Sequence, residues 1–426
     1  MSGLEAIVIG GGIGGLGAAA ALSPHVSRVV LLDRDELPTS SASRKAVPQG
    51  AHIHILLLAG LLSLDRLLPG SREQLIASGS AVIRAGLDQR IFAYGEWYPE
   101  RDLELSFLGQ SRPHLEGHIR RRVAALPNVT MRPGSRVESI VLEAGSVRGV
   151  SVHDDGQRVD LGADLVVDAS GVGATFARRL EEQLGLRVPT DEHSTEVFYS
   201  TVHFRKPQEF LTRKENILVL PEGRALRRGG SLIDVEDDLW CVSLHGRGAA
   251  DQPTTMSSWL DFARSLPHGC ILERVEQAEP VAPPVTMRKA KAVFRHFDRI
   301  STELPRGYFP IGDVMSSFNP IFGQGMTVAL GQAVALAEAW QQAAATGAVE
   351  RSALGDLALD YLRRARVWSE KAWRATVSHD LAFTATTAVE KRQAEMLDAL
   401  ARNQLARAKA EPRVHRQLVN AAQMLE

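Results

Sequence analysis

The 426-residue sequence predicts an α/β fold of mixed α+β layout. A Rossmann-like nucleotide-binding unit is interleaved with a second β-sheet and followed by a helical C-terminal region. Three observations predict it. A β-rich run, "AIVIG", leads into a glycine cluster and then a small-residue helix, "LGAAAAL". Residues 196–246 hold short strands with aromatics at alternating positions, among them "EVFYSTVHF", "NILVL" and "LWCVSLHG". From about residue 346 the pattern is largely helical. The expected units are 1–89, 111–185 and 296–345 for nucleotide binding, 90–110 and 186–295 for the second sheet as substrate platform, and 346–426 for the helical region.

The first element is the strand "AIVIG". The cluster after it, Gly10-Gly11-Gly12-Ile13-Gly14-Gly15, is a GxGxxG turn. Gly10 permits the tight turn, Gly12 lets backbone approach a pyrophosphate, and Gly15 allows helix to pack closely on sheet. The N–H groups at the start of the helix would face phosphate. A second strand, "RVVLLD", ends at Asp33, whose carboxylate suits the ribose hydroxyls of an adenosine.

After a polar loop, "IHILLLAGLLSLDRLL" reads as a helix over 50–64 that would carry His52 and His54. Side chains two apart on a helix diverge by about 200°, so the two histidines would not chelate together and no metal site is expected. "SRPHLEGHIRRRVAA" is the next helix, with Leu115, Ile119, Val123 and Ala124 on one stripe and Arg120, Arg121 and Arg122 on a solvated face. Alternating strands follow in "RVESIVLEAG", "SVRGVSVHDD" and, beyond an Asp155-Gly156 turn, "QRVDLG". The apolar strand in "ADLVVDASGVG" ends at Asp168. The stretch "RIFAYGEWYPERDLELSF" adds strands to the second sheet, making both units discontinuous.

Bulk properties exclude several function classes. A formal net charge of -1 gives no electrostatic reason to expect nucleic acid. Cys241 and Cys270 are far apart and form no CxxC, which argues against a disulfide framework or zinc site and fits a reducing cytoplasm. The N-terminus runs directly into a strand, without a signal-peptide pattern. The longest apolar run is broken by Asp65 and Arg66, so no stable membrane span is expected.

The cofactor follows from a constellation. GxGxxG near the start, "DASG" after a mid-chain strand, and Gly312-Asp313 followed by "NPIFGQGM" form three sites along one chain. A late acid beside a glycine turn offers carboxylate oxygens to the hydroxyls of a ribityl chain. A NAD-dependent dehydrogenase has no use for it, whereas the longer FAD does. The set resembles the class A flavoprotein monooxygenases, the aromatic hydroxylase and squalene epoxidase superfamily, whose FAD-binding domain is of glutathione-reductase type. "RKAVPQGAHIHILL" and "SEKAWRATVSHDLAF" resemble, within it, the flavin epoxidases of polyether polyketide biosynthesis.

The resemblance implies cofactor roles for Gly10, Gly12, Gly14, Gly15 and Asp33 at the adenosine side, and for Arg44, Gln49 and Arg112 as polar contacts from loop and helix. Asp168 matches the acid of the middle motif. Gly312 and Asp313 match the ribityl-binding pair, and Pro320, Gly323, Gln324, Gly325 and Met326 the turn beneath the flavin ring. It implies FAD as cofactor, NAD(P)H as reductant and O2 as oxidant, with oxygen transferred through a flavin C4a-hydroperoxide. No second GxGxxG serves NAD(P)H, so the reductant binds transiently or a separate flavin reductase supplies electrons. No catalytic side chain is assigned. Pro320, Phe322 and Gly323 are pocket candidates beside the flavin, and Phe198, Tyr199, Phe204 and Trp240 candidate contacts for an apolar small-molecule substrate.

The expected reaction is epoxidation of an alkene in a polyketide or terpenoid intermediate. Aromatic hydroxylation is the alternative, as is halogenation, although "EWYPE" carries only Trp97 of the halogenase WxWxIP pattern. An FAD-bound alkene reductase or a non-redox cyclase would be a different class. The amphipathic C-terminal stretch is read as a cap over the substrate cavity, its mixed charges disfavouring a membrane surface.

Overall fold

Strands covered on both faces need no polar alternation, and "AIVI", "VVLL" and "LVVD" have none. In the computed structural model, which describes residues 3–38, 40, 44, 48–154, 157–221, 226–248, 251–345 and 347–425, they form the interior of a five-stranded parallel sheet. Its order is Tyr308–Pro310, Leu165–Asp168, Glu5–Ile9, Arg28–Leu32, Val129–Arg132. The outer strand Tyr308–Pro310 comes from late in the chain and brings the Gly312-Asp313 turn beside the N-terminal glycines. The helix Ile13–Leu22 packs on this sheet with nine of its ten residues buried.

A nine-stranded sheet forms the second layer. Its centre is the 16-residue strand Thr190–Arg205, antiparallel to Leu239–Arg247 on one side and Val285–Arg295 on the other. Gln89–Ala93 and Glu96–Trp97 join its far edge. Ser106–Gly109 instead pairs with Ala81–Arg84 in a two-stranded ribbon. Arg136–Glu143, Ser146–Asp154 and Gln157–Gly162 form a three-stranded antiparallel sheet. The turn expected at Asp155-Gly156 lies outside the described residues.

Side chains alternate across a strand, and on Thr190–Arg205 the alternation separates two jobs. Phe198, Val202 and Phe204 enter a core with Trp240, Trp259 and Phe262. Tyr199 and Thr201 point the other way, toward Asn319 and His52.

The helix expected over 50–64 starts only at Leu58. Leu56 bridges to Leu108, and Leu57 stays extended with ψ 157°, so His52 and His54 precede the helix instead of riding on it. The helix expected from "SRPHLEG" spans Arg112–Ala124, capped by the Ser111 side chain. Leu115, Ile119 and Val123 are its buried stripe, whereas Ala124 is exposed. Arg120 is not on a solvated face: it is 4% exposed and donates to the Pro38 carbonyl and Glu116.

The C-terminal region is helical, as Leu354–Thr384, Ala388–Ala410 and Pro412–Ala422. Among the described residues no helix is long and apolar enough to cross a membrane. The 31-residue helix Leu354–Thr384 crosses Gln324–Ala344 at Gly331, against which the Trp368 ring lies. A β-carbon at Gly331 would stand 2.2 Å from that ring. Gly331→Ala is therefore expected to cost about 1–3 kcal/mol by overpacking, read as a lower midpoint in thermal unfolding.

Candidate functional site: a dinucleotide cleft

Parallel strands of an α/β sheet present their ligand site at their carboxyl ends. Here those ends are in register: Ile9 lies opposite Leu32 and Asp168, and Asp168 opposite Pro310. A cleft of about 1120 Å³ opens along that edge, at or above the ~300–1,000 Å³ usual for small-molecule sites. It runs from Gly10, Gly12 and Gly14 past Asp33, Arg44 and Arg112 to Gly312, Asp313, Pro320, Gly323, Gln324, Gly325 and Met326. Residues far apart in sequence thus line one cavity.

At the N-terminal end, Gly10 takes φ +102°, a conformation that favours glycine, and the chain turns. The Gly11 N–H donates to Asp33 Oδ2 at 2.6 Å, locking turn to second strand. Arg44 donates to the same oxygen at 3.2 Å and to the Gly11 carbonyl at 3.3 Å. Behind it stands Glu116, 3% exposed, with Arg44 Nε at 3.2 Å, Arg112 Nε at 3.1 Å and Arg120 Nη1 at 3.3 Å. One buried carboxylate therefore holds three guanidinium groups, two of them at the cleft wall.

At the far end, the Gly312 N–H donates to Gln332 Oε1 at 2.6 Å, and Gln332 Nε2 donates to Ser369 Oγ at 2.9 Å. Gly323, at φ +63°, starts the helix Gln324–Ala344, whose N-terminus faces the cleft. Asn319 organises the turn before it: its Oδ1 accepts the Ile321 N–H at 3.1 Å, and its Nδ2 donates to Asp380 at 2.7 Å. Asp380 also receives Arg247, which donates to the Thr195 carbonyl at 2.6 Å.

Several expected contacts lie elsewhere. Gly15 is not a wall of the cleft: its missing β-carbon is what lets the helix sit on the Gly10 turn. Asp168 is sealed at 0% exposure, accepting from the Ser170 N–H and the Tyr308 hydroxyl, and burial pushes its carboxyl up from the ordinary range. Phe198, Phe204 and Trp240 belong to the core on the far face of the second sheet, because strand alternation turns them away. Tyr199 does face inward, and its hydroxyl donates to Asn319 Oδ1 at 3.3 Å. Phe322 packs edge-on against His379, with centroids 4.8 Å apart. Gln49 lies outside the described side chains.

Sequence reasoning missed Glu116, Asn319 and Lys289. The spacing of Arg112, Glu116 and Arg120 at i, i+4, i+8 was the available signal for the first. Asn319 opens the "NPIFGQGM" stretch, and nothing local marked Lys289. Among the described residues, no cluster of His, Cys, Asp and Glu could hold a metal.

The lining fits FAD. Gly12 and Gly325 have open space where a β-carbon would be, so a ligand can approach their backbone. Gln324 is 7% exposed, and its Oε1 is without a hydrogen-bond partner. Such an orphaned polar atom is costly unless a ligand meets it. Groups beside the second sheet are held neutral by burial. The imidazoles of His52 and His379 fall to about 4 and those of His54 and His245 to about 3, while the Tyr199 phenol is pushed well above its usual range.

Comparison with known proteins agrees with this geometry. Residues 8–59 match the family model of an NAD(P)-binding Rossmann-like domain. The crystal structure of pqsL from Pseudomonas aeruginosa, a probable FAD-dependent monooxygenase, shares the fold, with a TM-score of 0.67 at 17% identity over 92% of this chain and 99% of that one. Squalene monooxygenase 1,1 of Brassica napus is 28% identical over 184 residues, which is 42% of this chain and only 34% of that protein. Fold and cleft together are of the FAD-dependent monooxygenase type. More narrowly, the chain belongs to the same family as protein Rv3254 of Mycobacterium tuberculosis (strain ATCC 25618 / H37Rv), to which it is 31% identical over 404 residues, 90% of this chain and 81% of that one.

Two outcomes follow from the buried charges. Glu116→Ala leaves three guanidinium groups without their shared carboxylate and is expected to cost about 3–5 kcal/mol, measured by urea unfolding. His52 and His245 are neutral in the fold but charge freely near pH 6.5 once unfolded. Their contribution is present above that pH and is lost as pH falls toward 4, by about 1.4 kcal/mol per unit for each. Urea midpoints at pH 7 and pH 5 will read the difference.

Proposed function

We propose that the protein is a monooxygenase that uses FAD, NAD(P)H and O2 to epoxidise an alkene of an apolar polyketide or terpenoid intermediate. The observation that carries the alkene is the absence, among the described histidines and tyrosines beside the cleft, of a side chain titrating near neutrality. Activating a phenol calls for a base matched to the working pH. His52, His54, His245 and His379 lie two or more units below that range, and Tyr199 is far above it. An alkene brings no proton to remove. The squalene monooxygenases act, by name, on a polyene hydrocarbon, which favours the same reading.

When bound, the flavin would supply the redox and oxygen-transfer chemistry. The chain's part is binding, orientation and exclusion of water. Backbone N–H groups of the glycine turn and of the helix after it would meet the diphosphate, with Arg44 and Arg112 adding charge. Asp33 would accept from ribose hydroxyls and Asp313 from the ribityl chain. Gln324 Oε1 would accept from the ring, and the N-terminus of Gln324–Ala344 would favour negative charge near it. Ile53, Met287, Phe318 and Pro320 give the cavity an apolar wall for the substrate. The reductant would dock transiently or act through a separate reductase.

The first check is colour: purified protein is expected to carry flavin absorption or to take up added FAD. Incubation of candidate polyenes with NADPH under isotopically labelled O2 should then give an epoxide bearing one labelled oxygen. Label in a phenol would point instead to aromatic hydroxylation. Unlabelled reduced product means a reductase, and conversion without NADPH a cyclase.

A further inference from the structure

Lys289 projects from the strand Val285–Arg295 into the flavin end of the cleft, which Asp313, Ser317 and Asn319 also line. Its ammonium donates to Ser317 Oγ, and among the described residues no carboxylate stands within 4.0 Å of it. Three other cations that line the cleft are engaged. Arg112 holds Glu116, Arg44 holds Asp33 and Glu116, and Arg288 donates to Gln252. Burial lowers the proton affinity of Lys289 while the charge of Asp313 raises it. A half-buried cation with no ion-pair partner is destabilising until an anion arrives.

The proposed reaction generates such an anion. Hydride transfer from a reduced nicotinamide breaks its C4–H bond and leaves the oxidised nicotinamide cation. Two electrons and one proton pass to the flavin, which at neutral pH then keeps one negative charge on its pyrimidine half. We infer that Lys289 is the counter-charge for the reduced, anionic flavin, acting together with the N-terminus of the helix Gln324–Ala344. This rests on the flavin-dependent reading above. Asp313 belongs to the ribityl side of the same cleft, so the pair would separate the roles of binding FAD and biasing its reduction. An anionic substrate is the competing occupant for the lysine.

The experiment is the midpoint potential of the FAD-loaded protein, by equilibration with a redox dye, in wild type, Lys289→Met, Lys289→Gln and Lys289→Arg. The two neutral variants are expected to lose about tenfold in affinity for reduced over oxidised flavin. For a two-electron couple that is a potential about 30 mV more negative. The dissociation constant of oxidised FAD, from flavin fluorescence quenching, should stay unchanged, and Lys289→Arg should stay close to wild type. Neutral variants that bind FAD at the wild-type potential would overturn the inference, and a raised KM for substrate alone would assign the lysine to substrate. Loss of FAD from both neutral variants would likewise overturn it, making Lys289 a structural contact. Wild-type protein that takes up no FAD would sink the flavoprotein reading itself, a result distinct from all of these.

Discussion

At Gly15 the first helix comes so near the glycine turn that a β-carbon would lie 1.8 Å from the Gly10 carbonyl oxygen. No side chain relieves that contact, and the rest of the cleft depends on it. The close approach holds the helix over the strand ends and sets the Gly11 N–H on Asp33. Asp33 in turn anchors Arg44, and Arg44 reaches Glu116. The opposite end is fixed by a different device. Gln332, fully buried within its helix, ties the Gly312 turn to Ser369 on the long C-terminal helix. A gap closed by backbone sterics at one end and by a buried amide at the other has a fixed length, as an extended dinucleotide requires.

Charge is distributed unevenly around this frame. Exposed i,i+4 pairs such as Arg374–Glu370 and Arg402–Asp398 sit on the C-terminal helices. Pairs of that kind contribute about 0.3–0.5 kcal/mol each. The interior carboxylates Glu116 and Asp380 are different, because removing one partner of a buried pair leaves uncompensated charge. Both stand directly behind walls of the cleft, one under the arginines and one under Asn319. Two of the interior carboxylates thus stand where position matters to the site, a third, Asp234, is held by Lys206 in the second sheet, and the helices outside carry the weak pairs.

Much of the fold and half of the site were legible in the sequence. Uninterrupted apolar strands, the glycine turn and the Gly312-Asp313 pair report local backbone requirements, and local requirements are written in adjacent residues. What failed was non-local. The helix read over 50–64 is cut short at its start, because Leu56 is drawn into a bridge with Leu108 and the helix begins at Leu58. Arg120 looked solvated because its partner at Pro38 lies far away in sequence. The aromatics Phe198, Tyr199 and Phe204 are in plain view, yet which face meets the cavity depends on where the parallel sheet docks, and no strand encodes that alone. Lys289 acquires meaning only through Ser317, which arrives on another segment.

The strand Thr190–Arg205 also bears on how such a protein can change over generations. Its even-numbered residues Phe198, Val202 and Phe204 are committed to the core, and its odd-numbered Tyr199 and Thr201 meet the cavity side. Neighbours in sequence therefore have unrelated surroundings. Changes at odd positions disturb the buried hydrogen bonds that hold Asn319 and His52, and changes at even positions disturb the core. A single-letter change on this strand therefore acts on one side of the sheet or the other according to the parity of its position.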